Sequence, residues 1–386
     1  MKTLRGNELK VCFITTIQHN PGDDFVREGI AYLIRTMFPS ACFTYIHKHI
    51  PSTANPLLSR LFKSKLYQGI PRGLLRKFSD GALRQIDYKS DDDKVLNADV
   101  LIQSGAPVYW LHEKSTCARN EWYSPIILKR WLAHQKEIPL LNIGAGTCQA
   151  YDSTGEEFLD SPDTVAYIQR FFDYCSLTTV RDTLSNAVLE IAGRQATLLP
   201  CPSVFARFRE QVESQEGEYI ALNFMPLAGH YILSNNINSD KWVSIFTSFA
   251  KKLSRSEKCI LICHNKVELA SARKFLPEIQ AVYFHDYREY LEAYSRAKFG
   301  ILNRVHGAYA LASFGKPSAI IGTDSRARMA NVIGLDSYFS GDISEGRLEE
   351  IHRNLVRKSN TYPDTIHDIL HEAKQQYVDS ISKVLM

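Results

Sequence analysis

Apolar residues in this chain fall in short runs rich in β-branched side chains, and between the runs hydrophobic positions recur at helical spacing. Runs at about 10–17, 99–103, 139–143 and 176–180 read as strands in the first half, and runs at about 219–223, 259–263, 298–302 and 318–321 repeat the scheme in the second. Helical periodicity covers Phe25 to Met37, Pro125 to Gln135, Trp242 to Leu253 and Val267 to Phe275. Strands that are apolar throughout, each followed by a helix, mark parallel sheets covered on both faces. The expected fold class is therefore α/β, with two Rossmann-like doubly wound domains facing a cleft.

The alternation breaks around 199–218, where Pro200 and Pro202 precede the polar run Glu210 to Glu218. This predicts an N-terminal domain over 1–200 and a C-terminal domain over 201–386, a division that suits 386 residues. The amphipathic segment from Pro363 onward is able to dock on either domain, and so to cross back to the first.

Composition adds mainly exclusions. With 45% apolar and 23% charged residues the chain is ordinary for a globular protein. A net charge of +4 is too small to argue for a nucleic-acid partner. The excess is local: seven basic residues between Leu57 and Tyr88, from Arg60 to Arg84, face only Asp80 and Asp87. That stretch is either a solvated helix face or a peripheral contact with an anionic membrane surface. No apolar run is long enough to span a bilayer, and the N-terminus lacks the form of a signal peptide. Eight cysteines without paired spacing read as reduced thiols of a cytoplasmic protein, Cys259 and Cys263 among them as buried side chains.

In two facing doubly wound units, ligand chemistry belongs at the carboxyl ends of the strands. The segment Lys298 to Ile321 reads strand, tight connection, helix from Ala308, stop at Gly315 and Pro317, new strand. Arg304, His306 and Gly307 therefore sit at a strand's end, where free helix N–H groups favour an anion. Arg offers a planar fork for carboxylate or phosphate, and His a proton that moves near neutral pH. The competing reading is an Arg paired with a neighbouring carboxylate and a His capping the turn. Gly22 and Asp23 lie in a loop before a helix opening near Phe25; Asp23 or Asp24 serves there as a ligand contact or as a helix cap. Gly105, Gly144 and Gly146 mark two more strand-end turns, fit for close approach of a ligand or for tight helix packing. Arg181 and Asp182 end another strand, as cleft residues or as a structural pair. Asp324, Arg326 and Arg328 follow the strand at 318–321, at the same sheet end as Arg304. No nucleophile elbow, P-loop or metal-binding His pair is present in the sequence, so no metal site and no cofactor are expected.

Taken in order, the Gly22-Asp23 loop, the strand and turn from Asp99 to Gly105, Asn142-Ile143-Gly144-Ala145-Gly146, Val180-Arg181-Asp182 with Ser185, and Asn303-Arg304-Val305-His306-Gly307 through Gly315-Lys316-Pro317 resemble the polysaccharide pyruvyl transferase family. The resemblance implies the two-domain GT-B architecture of many glycosyltransferases, with acceptor on the N-terminal side and donor on the C-terminal side. It implies transfer of a pyruvyl group from phosphoenolpyruvate, as donor substrate, to a sugar of a polysaccharide or lipid-linked glycan. On that reading His306 is the general acid or base, Arg304 binds the donor anion, and Arg326 stands near a position where the family usually has a lysine. The sequence departs from the family at Ser104-Gly105, where two or three glycines are usual, and at Cys201-Pro202, where an Asp-Pro pair is. Glycosyl transfer from a nucleotide sugar on the same fold is the alternative.

Overall fold

The computed structural model of the protein describes residues 8–17, 20–47, 93–111, 138–229 and 237–386; the basic stretch at 57–88 and the helix expected at Pro125 to Gln135 lie outside them. The first sheet holds β1 (Lys10–Thr15), β2 (Cys42–His47), β3 (Val100–Ser104), β4 (Leu140–Ala145), β5 (Leu177–Val180) and β6 (Thr197–Leu198) in the order β2-β1-β3-β4-β5-β6. The second holds β7 (Tyr219–Leu222), β8 (Cys259–Ile262), β9 (Gln280–Val282), β10 (Ala297–Leu302), β11 (Ser318–Gly322) and β12 (Asp336–Phe339) in the order β12-β11-β10-β7-β8-β9. Every pairing in both sheets is parallel.

The strands expected from the apolar runs are present. Those without a clear run, β2, β6, β9 and β12, are the four outermost strands. The reason is physical: a central strand such as β3 or β4 is buried at every position, whereas an edge strand is half covered and keeps polar residues, as in Asp336-Ser337-Tyr338-Phe339. Counted from β7, the second sheet has the 3-2-1-4-5-6 order of dinucleotide-binding domains. The first sheet has instead the 2-1-3 beginning of flavodoxin-like sheets. Strand order reverses between β1 and β3 and again between β7 and β10, which fixes where each half can hold a ligand.

Between the sheets the chain runs through a 3-10 turn, Pro202–Phe205, and the short helix Ala206–Glu210. Helix Tyr362–Leu385 packs back on the first half: Tyr377 Oη donates to the Pro200 carbonyl (2.9 Å) and Lys374 Nζ to Tyr32 Oη (2.9 Å). One apolar cluster is continuous across both halves, from Phe13, Phe25 and Ile30 through Cys201 and Phe205 to Leu302, Leu311 and Tyr377. Two hinged units are expected to move against each other, and this shared core limits how far. Among the described residues, no helix is long and apolar enough to cross a membrane.

Gly29 shows how closely the halves meet. It lies inside helix Pro21–Met37, where alanine would ordinarily be the better residue by about 1 kcal/mol, yet a Cβ there would sit 1.8 Å from the Pro202 carbonyl oxygen. Gly29→Ala is therefore expected to destabilise the protein by about 1–3 kcal/mol in thermal or urea unfolding. An unchanged or raised midpoint would show that the helix and the crossover segment are not in contact.

Candidate functional site

The site begins at the end of β10. Asn303 Oδ1 accepts from the Met225 N–H (2.9 Å), and Asn303 Nδ2 donates to the Ile321 carbonyl (2.8 Å), which ties the exits of β7, β10 and β11 together. The next helix, Val305–Ser313, starts three residues earlier than its apolar pattern suggests, so His306 lies in its first turn. No side chain caps this helix, and Val305 and His306 line a cleft of about 90 Å³ between the halves, leaving first-turn N–H groups beside it.

The opposite wall is the start of helix Pro21–Met37. Gly22 and Asp23 are not in a loop, as expected, but in the first helical turn, because Asn20 caps it by accepting from the Gly22 N–H (3.2 Å). The cap is thus neither Asp23 nor Asp24. Asp24 turns inward to Arg27 (2.5 Å), while Asp23 lines the cleft. Gly22 lies against the imidazole: a Cβ there would be 2.3 Å from His306 Nδ1.

Three guanidinium groups reach this cleft, from Arg181, Arg304 and Arg326. Two are neutralised by carboxylates. Arg304 Nε donates to Glu268 Oε1 (2.8 Å) and its Nη2 to the same oxygen, while Arg326 holds Asp324 through two bonds of 2.8 and 2.7 Å. Arg304, expected as the ligand of an anion, is thus first an ion-pair partner. Arg181 is different. It is 2% exposed, its Nε has no hydrogen-bond partner among the described residues, and its Nη1 lies 3.8 Å from the Cys201 thiol, while the buried Asp182 next to it acts on it by charge, as the structural-pair reading of the two expects. The same thiol lies 3.8 Å from His306 Nε2.

These charges set the state of the imidazole. Burial, then Arg181, Arg326 and Arg304, hold the pKa of His306 down to about 3, with Asp23 opposing them. At neutral pH His306 is therefore uncharged and able to accept a proton.

The small-residue turns serve this arrangement from behind. A Cβ on Gly146 would lie 2.7 Å from Arg181 Nε, and one on Gly105, at φ +29°, 3.3 Å from Arg181 Nη1. Gly144, at φ +67°, lies against Pro202, and Gly307 against the Tyr294 hydroxyl. None of the four lines the cleft. Asp182 is buried as the cap of helix Thr183–Ile191, accepting from the Ser185 N–H and Oγ, both at 2.7 Å. Arg328 donates to the Ser153 carbonyl (2.6 Å) across the two halves.

Sequence reasoning passed over Glu268. This buried carboxylate accepts from Arg304, from Asn223 Nδ2 and Asn265 Nδ2 (both 2.9 Å), and from the His264 N–H (2.8 Å). A signal was available, since Asn265 followed three residues later by Glu268 at a strand's end has the spacing of a capping box. Among the described residues no group of three or more His, Cys, Asp or Glu is placed to hold a metal ion.

Fold and site define an α/β transferase with two parallel sheets and, at their switch points, a cleft lined by three arginines. The chain belongs to the polysaccharide pyruvyl transferase family, whose model matches residues 20–325. Its architecture is of the GT-B type. An S. aureus MnaA–UDP structure is similar at 11% identity and a TM-score of 0.53, covering 93% of this chain and 90% of that one. A UDP-GlcNAc 2-epimerase from Neisseria meningitidis, bound to UDP-GlcNAc, matches at 11% identity and 0.52, covering 97% and all of the other chain. One from Methanocaldococcus jannaschii also gives 11% and 0.52, covering 90% and 92%. No curated protein matches the sequence.

Gly22→Ala tests the contact at the centre of the site. The added methyl is compatible with the helix but not with the His306 ring, so activity should fall at least ten-fold with little change in unfolding temperature. Full activity would mean that the imidazole does not work from this position.

Proposed function

We propose that the protein transfers the pyruvyl group of phosphoenolpyruvate to two hydroxyls of a sugar in a polysaccharide or lipid-linked glycan, forming a ketal and releasing inorganic phosphate. The observation that carries the reading is Arg181, a buried guanidinium on the wall of the cleft that His306 lines, whose Nε has no hydrogen-bond partner among the described residues although Asp182 beside it acts on it by charge. A buried donor left unsatisfied costs about 1–3 kcal/mol, and a carboxylate or phosphate in the cleft would satisfy it. Phosphoenolpyruvate carries both.

The chemistry follows from charge. C3 of the enol ester must gain a proton as one sugar hydroxyl adds to C2 and loses its own; the second hydroxyl then displaces phosphate from C2. His306, uncharged in the cleft, takes the proton of an attacking hydroxyl. Donor binding adds negative charge beside the same imidazole, offsets Arg181, Arg304 and Arg326, and raises its pKa, so that the protonated ring can return a proton. Arg181 holds the donor anion, Arg304 presents a second fork steadied by Glu268, and the uncapped helix N-terminus faces the developing phosphate charge. Asp23 lies beside His306, on the acceptor side.

Glycosyl transfer remains the second reading because the fold is shared with proteins solved bound to UDP or UDP-GlcNAc. A thermal-shift comparison separates the two, since a ligand specific to the folded state adds about 2.7 kcal/mol at a hundred-fold excess over its Kd. Phosphoenolpyruvate should stabilise the wild type and not Arg181→Ala. Stabilisation by UDP-GlcNAc alone would replace the reading with nucleotide-sugar chemistry.

A further inference from the structure

Away from the cleft, where the two halves and the last helix meet, lies a groove of about 350 Å³. Its floor is aromatic and aliphatic: Phe205 and Phe208 from the crossover segment, Phe314 from the end of helix Val305–Ser313, and Ile366 and Leu370 from helix Tyr362–Leu385. Its charged members are Arg207 and Lys374, with His367 and His371 beside them, and no acidic residue lines it.

Arg207 is the unusual member. Its guanidinium carbon stands 4.3 Å from the centre of the Phe208 ring and 5.2 Å from that of Phe314. Nε is buried without a partner among the described residues, and Nη1 has only a long contact of 3.5 Å with the Val212 carbonyl. Burial pulls its pKa down; the charge of Glu213 opposes that, but no ion pair to Arg207 exists among the described residues. Lys374 lies 5.0 Å from the centre of the Tyr32 ring and donates to its hydroxyl at 2.9 Å, which holds this second cation at the groove.

A cation on an aromatic shelf, a second cation held nearby and an apolar floor match one kind of ligand: an anion with a hydrocarbon body. We propose that this groove is a second binding site, for a single-chain lipid phosphate. Its phosphate bridges Arg207 and Lys374, and its first chain carbons lie on Phe205, Phe208, Phe314 and Leu370. The volume is near the lower end of the range for small-molecule pockets, about 300–1,000 Å³, so the groove takes a head and part of a chain and leaves the remainder outside. This assignment is independent of the pyruvyl transfer reading, because it uses no residue of the cleft. The walls come from the first half, the second half and the returning helix, so a bound lipid would bridge all three.

The probe is dodecyl phosphate below its micelle concentration, titrated into the full-length protein by calorimetry, with dodecyl maltoside and inorganic phosphate as separate arms. The expected result is saturable one-to-one binding of dodecyl phosphate alone, weakened at least ten-fold in Arg207→Gln and in His371→Glu, and unchanged in Arg181→Ala. His371 is exposed, so its variant keeps the test valid even where Arg207→Gln disturbs folding. Equal binding of dodecyl maltoside would reduce the groove to an unspecific apolar surface and overturn the proposal. So would binding of inorganic phosphate alone, binding lost in Arg181→Ala, binding indifferent to both groove substitutions, or no binding of dodecyl phosphate.

Discussion

The site depends on one electrostatic constraint, the burial of Arg181 beside the equally buried Asp182, with the Arg181 Nε left without a hydrogen-bond partner among the described residues. It follows β5, its guanidinium is enclosed by the glycine turns after β3 and β4, and its Nη1 lies 3.8 Å from the Cys201 thiol. A buried donor without a partner costs about 1–3 kcal/mol. That cost is sensible where an anion is to be bound, because the anion then satisfies the donor. The His306 pKa is depressed first by burial of the ring and then by Arg181, and negative charge arriving beside the arginines would move it back up.

The fold brings these groups together by geometry available to any pair of doubly wound sheets. Each sheet opens a crevice where its strand order reverses, and here both crevices face each other. Helix Pro21–Met37 delivers Gly22 and Asp23 from one side, and helix Val305–Ser313 delivers His306 from the other. Gly22 permits contact where any side chain would collide with the ring. The continuous core beneath makes the cleft a property of both halves together.

Much of this was legible in the sequence, because apolar runs report burial directly. Central strands are buried on both faces and show themselves; the outermost four, half covered and partly polar, do not. Arg304 and His306 stood out because a strand, a tight connection and a helix follow in succession. What the sequence could not show is how guanidinium groups are shared out. Glu268 pairs with Arg304 across 36 residues, and Cys201 meets His306 across 105. Such choices are made by tertiary packing: Arg304, which the sequence left open between an anion ligand and an ion-pair partner, pairs with Glu268. Of the glycine turns, which suited either a ligand or close packing, Gly105 and Gly146 make room for Arg181 and Gly144 for Pro202.

The central claim is that an anionic donor recharges a neutral imidazole surrounded by arginines. The most direct measurement is an NMR titration of the His306 ring nitrogens, without and with saturating phosphoenolpyruvate, assigned by comparison with His306→Gln. The account predicts an imidazole that stays unprotonated down to about pH 4 in the free protein and whose pKa rises by more than about one unit with donor bound, less so in Arg181→Lys. A free-protein pKa near the ordinary histidine value, unmoved by the donor, would contradict it.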